Sequence, residues 1–198
     1  VLTGTAMLAA VATVLMYMEF PIPIMPAFIK LDVSELPALI ASFAYGPVAG
    51  IVVCLIKNLI KLPSTSTAAV GELFNFVMGA LFVGVAGMVY RFKKTRSGAI
   101  LGAVLGALVM AIVSVPYNYF IVYPAYVVMY HLPLDAIIGM YQAINPNVET
   151  LWDALIWFNM PFTFLKGMLS VVITFLIYKK LSPLLKGTKK LAKRACAS

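Results

Sequence analysis

From residue 98 to residue 129 the chain carries no charged side chain. A run of that length and composition reads as a membrane span rather than as part of a small soluble core. Composition extends the reading to the whole chain: 63% of the 198 residues are hydrophobic and 11% charged, against roughly 25% charged in soluble domains. Six apolar stretches can be marked, at residues 2–18, 35–45, 47–62, 71–90, 98–129 and 161–180. In lipid each backbone N–H and C=O must be satisfied internally, so these stretches predict helices. The expected fold is an all-α integral membrane protein with six transmembrane helices, one domain over residues 1–182 and a basic tail over 183–198. The second and third stretches are short and joined by the turn signal Tyr45-Gly46-Pro47. The first has no basic flank and no small-residue cleavage site, so it is expected to be a span and not a signal peptide.

Charge placement orients the spans. With the N-terminus on the cytoplasmic side, Arg91, Lys93, Lys94, Arg96, Lys179, Lys180, Lys186, Lys189, Lys190, Lys193 and Arg194 all fall inside, 11 of the 15 basic residues. The seven acids, Glu19, Asp32, Glu35, Glu72, Asp135, Glu149 and Asp153, fall on or near the other side. That asymmetry is the positive-inside pattern and puts both termini in the cytoplasm. It also accounts for the net charge of +8 without nucleic acid: the basic tail is a topology anchor at a lipid surface. Trp152 and Trp157, in the mixed segment between Tyr130 and Met160, suit an interfacial belt.

Between the first two stretches lies EFPIPIMPAFIKLDVSELP, residues 19–37. Pro21, Pro23 and Pro26 forbid a continuous helix and push the residues before them into extended conformations. Phe20, Ile22, Ile24, Met25, Phe28 and Ile29 are nonetheless too apolar for a solvated loop. A proline-rich outer loop that closes over a small ligand is the expectation.

Polar groups within apolar spans are costly and therefore informative. Lys166 follows Pro161 by about a turn and a half, which predicts a depth of roughly 8 Å. Thr163 and Ser170 share its face, a pattern that suits a lined cavity, the alternative being a lysine that snorkels outward. Asn118 sits among Tyr117, Tyr119, Tyr123 and Tyr126 in a helix loosened by Pro116 and Pro124. An unpartnered amide in hydrocarbon costs about 2–7 kcal/mol, so Asn118 must bond another helix or a ligand. Glu19 ends the first helix, where the dipole disfavours a carboxylate, and Lys166 or a ligand donor is expected to hold it. Lys57 and Lys61 would repel unless met by Glu72, Asp32 or Glu35, a structural role. Asp32 or Ser34 is expected to cap the second helix. Gly98, Gly102 and Gly106 predict close helix packing, and Ala6 and Ala10 form a similar pair on the first helix.

Several function classes lose support. There is one histidine, His131, and Cys54 and Cys196 form neither a disulfide framework nor a metal cluster. No phosphate-binding GxxxxGK[ST] loop is present, no Ser/His/Asp set can be placed, and the carboxylates lie outside the spans or, as Glu35 and Glu72 do, at their very start, which offers no obvious ion relay. The chain reads as a binder without its own energy source, not as an enzyme or a self-sufficient carrier.

Over nearly its whole length the sequence resembles the riboflavin-specific S components of energy-coupling factor (ECF) vitamin transporters. The matching stretches are FPIPIMPAFIKLDVSELPALIASFAYGPVAGIVV, the KNLIK that follows, PYNYFIVYPAY and PFTFLKG. The resemblance implies a multi-pass protein of the bacterial cell membrane that binds riboflavin at its outer side. Riboflavin is then the transported substrate, no cofactor is needed, and ATP is used by partner subunits. Those partners are a transmembrane T protein, docked on Ala6-xxx-Ala10, and two cytoplasmic ATPases. The implied substrate site comprises Glu19, Phe20, Asn118 and Lys166, with Tyr119 and Tyr123 beside the amide. One departure is that Thr163 stands where the family commonly has asparagine; Asn159, one turn earlier, could compensate. An S component for another vitamin, thiamine or a folate, is the alternative, and an intramembrane enzyme a more distant one.

Overall fold

The computed structural model describes residues 1–21, 30–65, 69–131 and 133–195. Most of the proline-broken run expected to act as a lid, residues 22–29, and Cys196 lie outside the described residues.

The first helix is α1, Leu2–Tyr17. It is followed by two residues of strand, β1 Phe20–Pro21, paired antiparallel with β2 Lys30–Leu31 so that Phe20 opposes Leu31. This pairing brings the two ends of the intervening segment together. Then come α2, Glu35–Tyr45, and α3, Pro47–Lys61, which continues as a 3-10 turn over Leu62–Ser64. Gly46 separates them at φ +107°, a conformation open to glycine but strained for other residues, and Pro47 opens α3. The next two long helices are α4, Val70–Phe92, and α5, Arg96–Tyr117. Through a π-turn at Asn118–Val122, α5 runs into α6, Tyr123–Tyr130. The short α7, Leu134–Gln142, precedes α8, Leu151–Ala154, which passes through a second π-turn, Leu155–Asn159, into α9, Met160–Ala195.

Four stretches are long and apolar enough to cross a bilayer: Pro47–Ser64, Val70–Phe92, Arg96–Met129 and Leu151–Ile177. Among the described residues, length and composition alone thus qualify four of the six expected spans. At 16 residues α1 falls short, and at 11 residues α2 falls further short. The apolar run Leu36–Ala41 in α2 is explained by packing: Glu35 through Ser42 are buried without a gap. The last span also starts earlier than expected. A capping box, in which Thr150 and Asp153 bond each other's backbone N–H, opens the helix at Leu151. Pro161 is therefore inside it, not at its start. Trp152 and Trp157, 40% and 70% exposed, belong to this helix.

The bundle is held by small residues. Ala9, Ala12, Ala38, Ala41, Ala86, Ala103 and Ala107 are all buried in one core with Leu39, Val53, Phe82 and Met110. In a membrane such residues let backbones approach and recover dispersion energy where no hydrophobic drive exists. The α4–α5 contact uses the glycine series. A Cβ on Gly106 would lie 2.5 Å from the Phe82 carbonyl oxygen, and one on Gly102 would lie 2.7 Å from that of Ala86. Gly106→Ala is accordingly expected to destabilise the protein by about 1–3 kcal/mol through overpacking. Thermal unfolding in detergent measures it, and an unchanged midpoint would refute the contact. A second core unites Tyr123, Ile137, Tyr141, Val148, Leu151 and Leu155, and so ties α7 to α6 and to the start of the last span.

Candidate functional site

Both π-turns end two residues before a proline, Pro124 in one case and Pro161 in the other. A proline inside a helix has no N–H for the carbonyl four residues back and crowds that oxygen, so the ladder opens locally. A π-turn absorbs the misfit and rotates the residues before it relative to those after it. Asn118 opens the first π-turn and Asn159 closes the second. Both side chains are buried, and both line one cavity.

Four parts of the chain wall this cavity. Met16 and Glu19 come from the end of α1, Asp32 and Glu35 from the approach to α2. Lys61, Glu72, Asn75 and Met78 come from α3 and α4. Asn118, Tyr123, Asn159, Phe162, Thr163 and Lys166 come from the two proline-broken helices. At 1.5 Å per residue, Lys166 stands about 22 Å along its helix from Leu151, further along than a start at Pro161 implied. Its ammonium is turned to partners inside the protein.

The partners form a chain of charges. The Lys166 ammonium donates to Asp32 Oδ2 at 3.0 Å and to Asn75 Oδ1 at 3.0 Å, and lies 3.4 Å from Glu35 Oε1. The same Glu35 oxygen accepts from Lys57 at 3.1 Å, and Lys57 also donates to Ser34 Oγ. Ser34 in turn donates from its backbone N–H, at 2.9 Å, and from its hydroxyl to Asp32 Oδ1. Asp32 thus bonds Ser34 without making it a side-chain cap for α2. Lys57 is fully buried and Glu35 is 1% exposed. Burial works to raise the Asp32 carboxyl, but the ammonium groups of Lys166 and Lys57 outweigh it and hold Asp32 well below the usual carboxylate range. Asp32 therefore stays ionised at any physiological pH. Glu35 Oε2 is buried and has no partner among the described residues, which leaves an acceptor at the cavity wall.

Glu19 is not held by Lys166. Its carboxylate meets Lys61 on α3, whose ammonium also donates to the Met16 carbonyl at 3.2 Å. That lysine neutralises both the exposed carbonyl end of α1 and the acid that follows it.

A neutral polar group completes the wall. The Tyr123 and Tyr141 hydroxyls are 2.6 Å apart, Tyr141 donates to Asn159 Oδ1 at 3.0 Å, and Asn159 Nδ2 donates to the Tyr123 oxygen at 3.2 Å. The triangle fixes which way the Asn159 amide faces. Burial, with Tyr123 close by, pushes the Tyr141 phenol far up, so it is a neutral donor. Asn118 uses its Nδ2 on the Ser114 carbonyl at 2.8 Å, while its own carbonyl oxygen has no protein partner among the described residues.

Of the residues singled out from sequence, Glu19, Asn118, Tyr123, Asn159, Thr163 and Lys166 share the cavity. Phe20 and Tyr119 do not line it. Phe20 is 62% exposed, and Tyr119 stacks on Trp152 with ring centroids 4.4 Å apart. Sequence reasoning missed Asn75 and Tyr141. Asn75 carried a signal, an amide within an apolar span; Tyr141 carried none. Ala6 and Ala10 are exposed, whereas Thr5, Ala9, Ala12, Thr13 and Met16 make the inward face of α1.

Residues 1–178 match the family described as "ECF transporter, substrate-specific component". The chain belongs to that family. It is 34% identical to the riboflavin transporter RibU of Staphylococcus aureus (strain TCH60) over 181 residues, covering 91% of this chain and 89% of that protein. It is 31% identical to the riboflavin transporter FmnP of Bacillus subtilis (strain 168) over 185 residues, 92% of each. Among solved structures it is similar to the S component of a bacterial ECF transporter, with a TM-score of 0.74 at 34% identity, covering 93% of this chain and 96% of that one. The cavity described above is therefore that of a membrane-embedded component of a transporter family.

Proposed function

We propose that this S component binds riboflavin in the cavity between α1, α4, the α5–α6 helix and α9, and delivers it inward when docked on an ATP-driven energising module. The observation that carries the reading is the composition of the wall: three amides, a threonine and an unpartnered carboxylate oxygen set among Met16, Met78, Phe74, Phe162 and Tyr123. A flat heteroaromatic ring with donor and acceptor edges and a polyhydroxyl tail suits a mostly apolar pocket with few placed polar groups. The substrate residues are Glu19, Asn118, Tyr123, Asn159, Thr163 and Lys166. Phe20 and Tyr119 take part only if they turn toward the ligand.

The test is spectroscopic. The chain purified alone in detergent is expected to carry or take up a yellow flavin released on denaturation, and to quench added riboflavin fluorescence. A colourless protein that leaves riboflavin fluorescence unchanged would remove the substrate assignment.

The orientation with both termini cytoplasmic, the six-helix count and the basic tail over 183–198 belong to the same proposal. So does docking of a transmembrane T protein on α1. Ala6 and Ala10, with Val14 one turn further on, form an exposed apolar strip on that helix, and small residues allow a second helix to approach closely. Ala6→Trp or Ala10→Trp is expected to leave riboflavin binding intact and to reduce ATP-driven uptake in vesicles reconstituted with the energising module about tenfold or more. Uptake at the unsubstituted rate would remove the docking assignment.

A further inference from the structure

Of the three side chains in the Tyr123, Tyr141 and Asn159 group, Tyr141 is the one that does not line the cavity. It comes from α7, outside the spans, whose buried residues Ile137 and Tyr141 are four apart and so share a face. That face joins Val148, Leu151 and Leu155 in one core, and the Tyr141 ring centroid lies 5.5 Å from that of Phe158. A phenylalanine would pack there equally well. The hydroxyl is fully buried with the rest of the side chain, and it costs free energy unless it is bonded.

Its bonds fix where the protons lie. A phenol has a single O–H, and a carboxamide oxygen only accepts. The 3.0 Å contact with Asn159 Oδ1 therefore takes the Tyr141 proton. The 2.6 Å contact between the two hydroxyls must then take the Tyr123 proton. The Tyr123 oxygen in turn accepts from Asn159 Nδ2 at 3.2 Å. The three groups close a ring in which each donates once and accepts once.

We propose that Tyr141 is a positioning residue for the bound flavin, acting through the two cavity residues that it touches. Its hydroxyl holds the Asn159 amide in one orientation. By taking the Tyr123 proton it also leaves Tyr123 an oxygen that can only accept from a ligand. Without that hydroxyl the amide can turn over, which exchanges donor for acceptor at that point of the wall, and the Tyr123 proton can swing toward the cavity. A ligand edge matched to one arrangement then meets several, and the ordering cost falls on binding. The inference rests on the riboflavin reading above and deepens it.

The experiment is a riboflavin fluorescence titration of the purified chain, Tyr141→Phe, Asn159→Ala and the double variant, with the unfolding midpoint of each measured in the same detergent. Tyr141→Phe keeps the packed ring and removes only the hydroxyl, and it is expected to raise the riboflavin Kd about fivefold or more. With Asn159→Ala already in place the ring is open and the hydroxyl has no amide to orient. There the same substitution is expected to change Kd by less than about twofold. Asn159→Leu replaces Asn159→Ala in this cycle if the smaller residue prevents folding. A midpoint that falls while Kd stays in place would make the hydroxyl a stabilising group only and overturn the inference. An equal factor in both backgrounds would overturn it too. Unsubstituted protein that takes up no riboflavin overturns the riboflavin reading itself, and this inference with it.

Discussion

Lys57→Met is expected to destabilise the protein by about 3–5 kcal/mol, the loss found when one partner of a buried ion pair is removed. For a chain of this size that corresponds to an unfolding midpoint lower by roughly 6–20 °C. Lys57 is fully buried on α3, and Glu35 at the start of α2 is 1% exposed. Their contact is 3.1 Å long, and Glu35 already has one oxygen without a partner. With Lys57 gone, Lys166 alone at 3.4 Å must compensate both Glu35 and Asp32. The double variant Lys57→Met with Glu35→Gln removes one charge of each sign and is expected to recover most of the loss, leaving Lys166 with Asp32. Thermal unfolding of the four proteins of this cycle in one detergent reads the coupling directly. A single variant costing under about 1 kcal/mol, or a double variant no better than the single, would mean that the pair is not the buried contact that the geometry describes.

That pair also shows where the sequence is silent. The cost argument locates Lys166 and Asn118 in spans because hydrocarbon punishes an unmet polar group at any position. It does not say who meets them. Lys166 reaches Asp32 across 134 residues of chain and Asn75 across 91, and no local spacing encodes a contact of that range. Glu19 fell to Lys61 rather than Lys166 for the same reason. The start of the last span is a different case. Thr150-x-x-Asp153 is a capping signal written in the sequence, yet Pro161 masks it, because a proline ordinarily marks the first turn of a helix. The π-turn at Leu155–Asn159 is what lets the helix pass through that proline. Phe20 and Tyr119 illustrate a third limit. Each is adjacent to a cavity residue, but neighbours in a strand point to opposite faces, as at Phe20 beside Glu19, and neighbours along a helix face about 100° apart, so that beside Asn118 the Tyr119 ring turns to Trp152. The large spans, by contrast, needed only length and the absence of charge.

Asn118→Ala is expected to weaken riboflavin binding about 10- to 100-fold, and Thr163→Ala by a smaller factor. Both residues are buried, 5% and 7% exposed, and both line the cavity. They differ in what they leave for a ligand. Asn118 spends its donor on the Ser114 carbonyl at 2.8 Å, which fixes the amide plane and turns its carbonyl oxygen loose as an acceptor. That oxygen is a preset partner for a ring N–H. Alanine removes it and leaves the ligand edge desolvated with nothing opposite, the costly half of hydrogen-bond bookkeeping. A threonine hydroxyl is shorter and can rotate, and Asn159, held one turn away by Tyr123 and Tyr141, presents a further amide on the same wall. Loss of the Thr163 hydroxyl can be made good by that amide or by water; loss of Asn118 cannot, because the π-turn that aims it brings no second amide to the cavity, only the phenols of Tyr123 and Tyr126 beyond it. Fluorescence titration of the two variants decides the ranking. Equal losses, or a larger loss for Thr163→Ala, would place the ring edge against α9 instead of the α5–α6 turn.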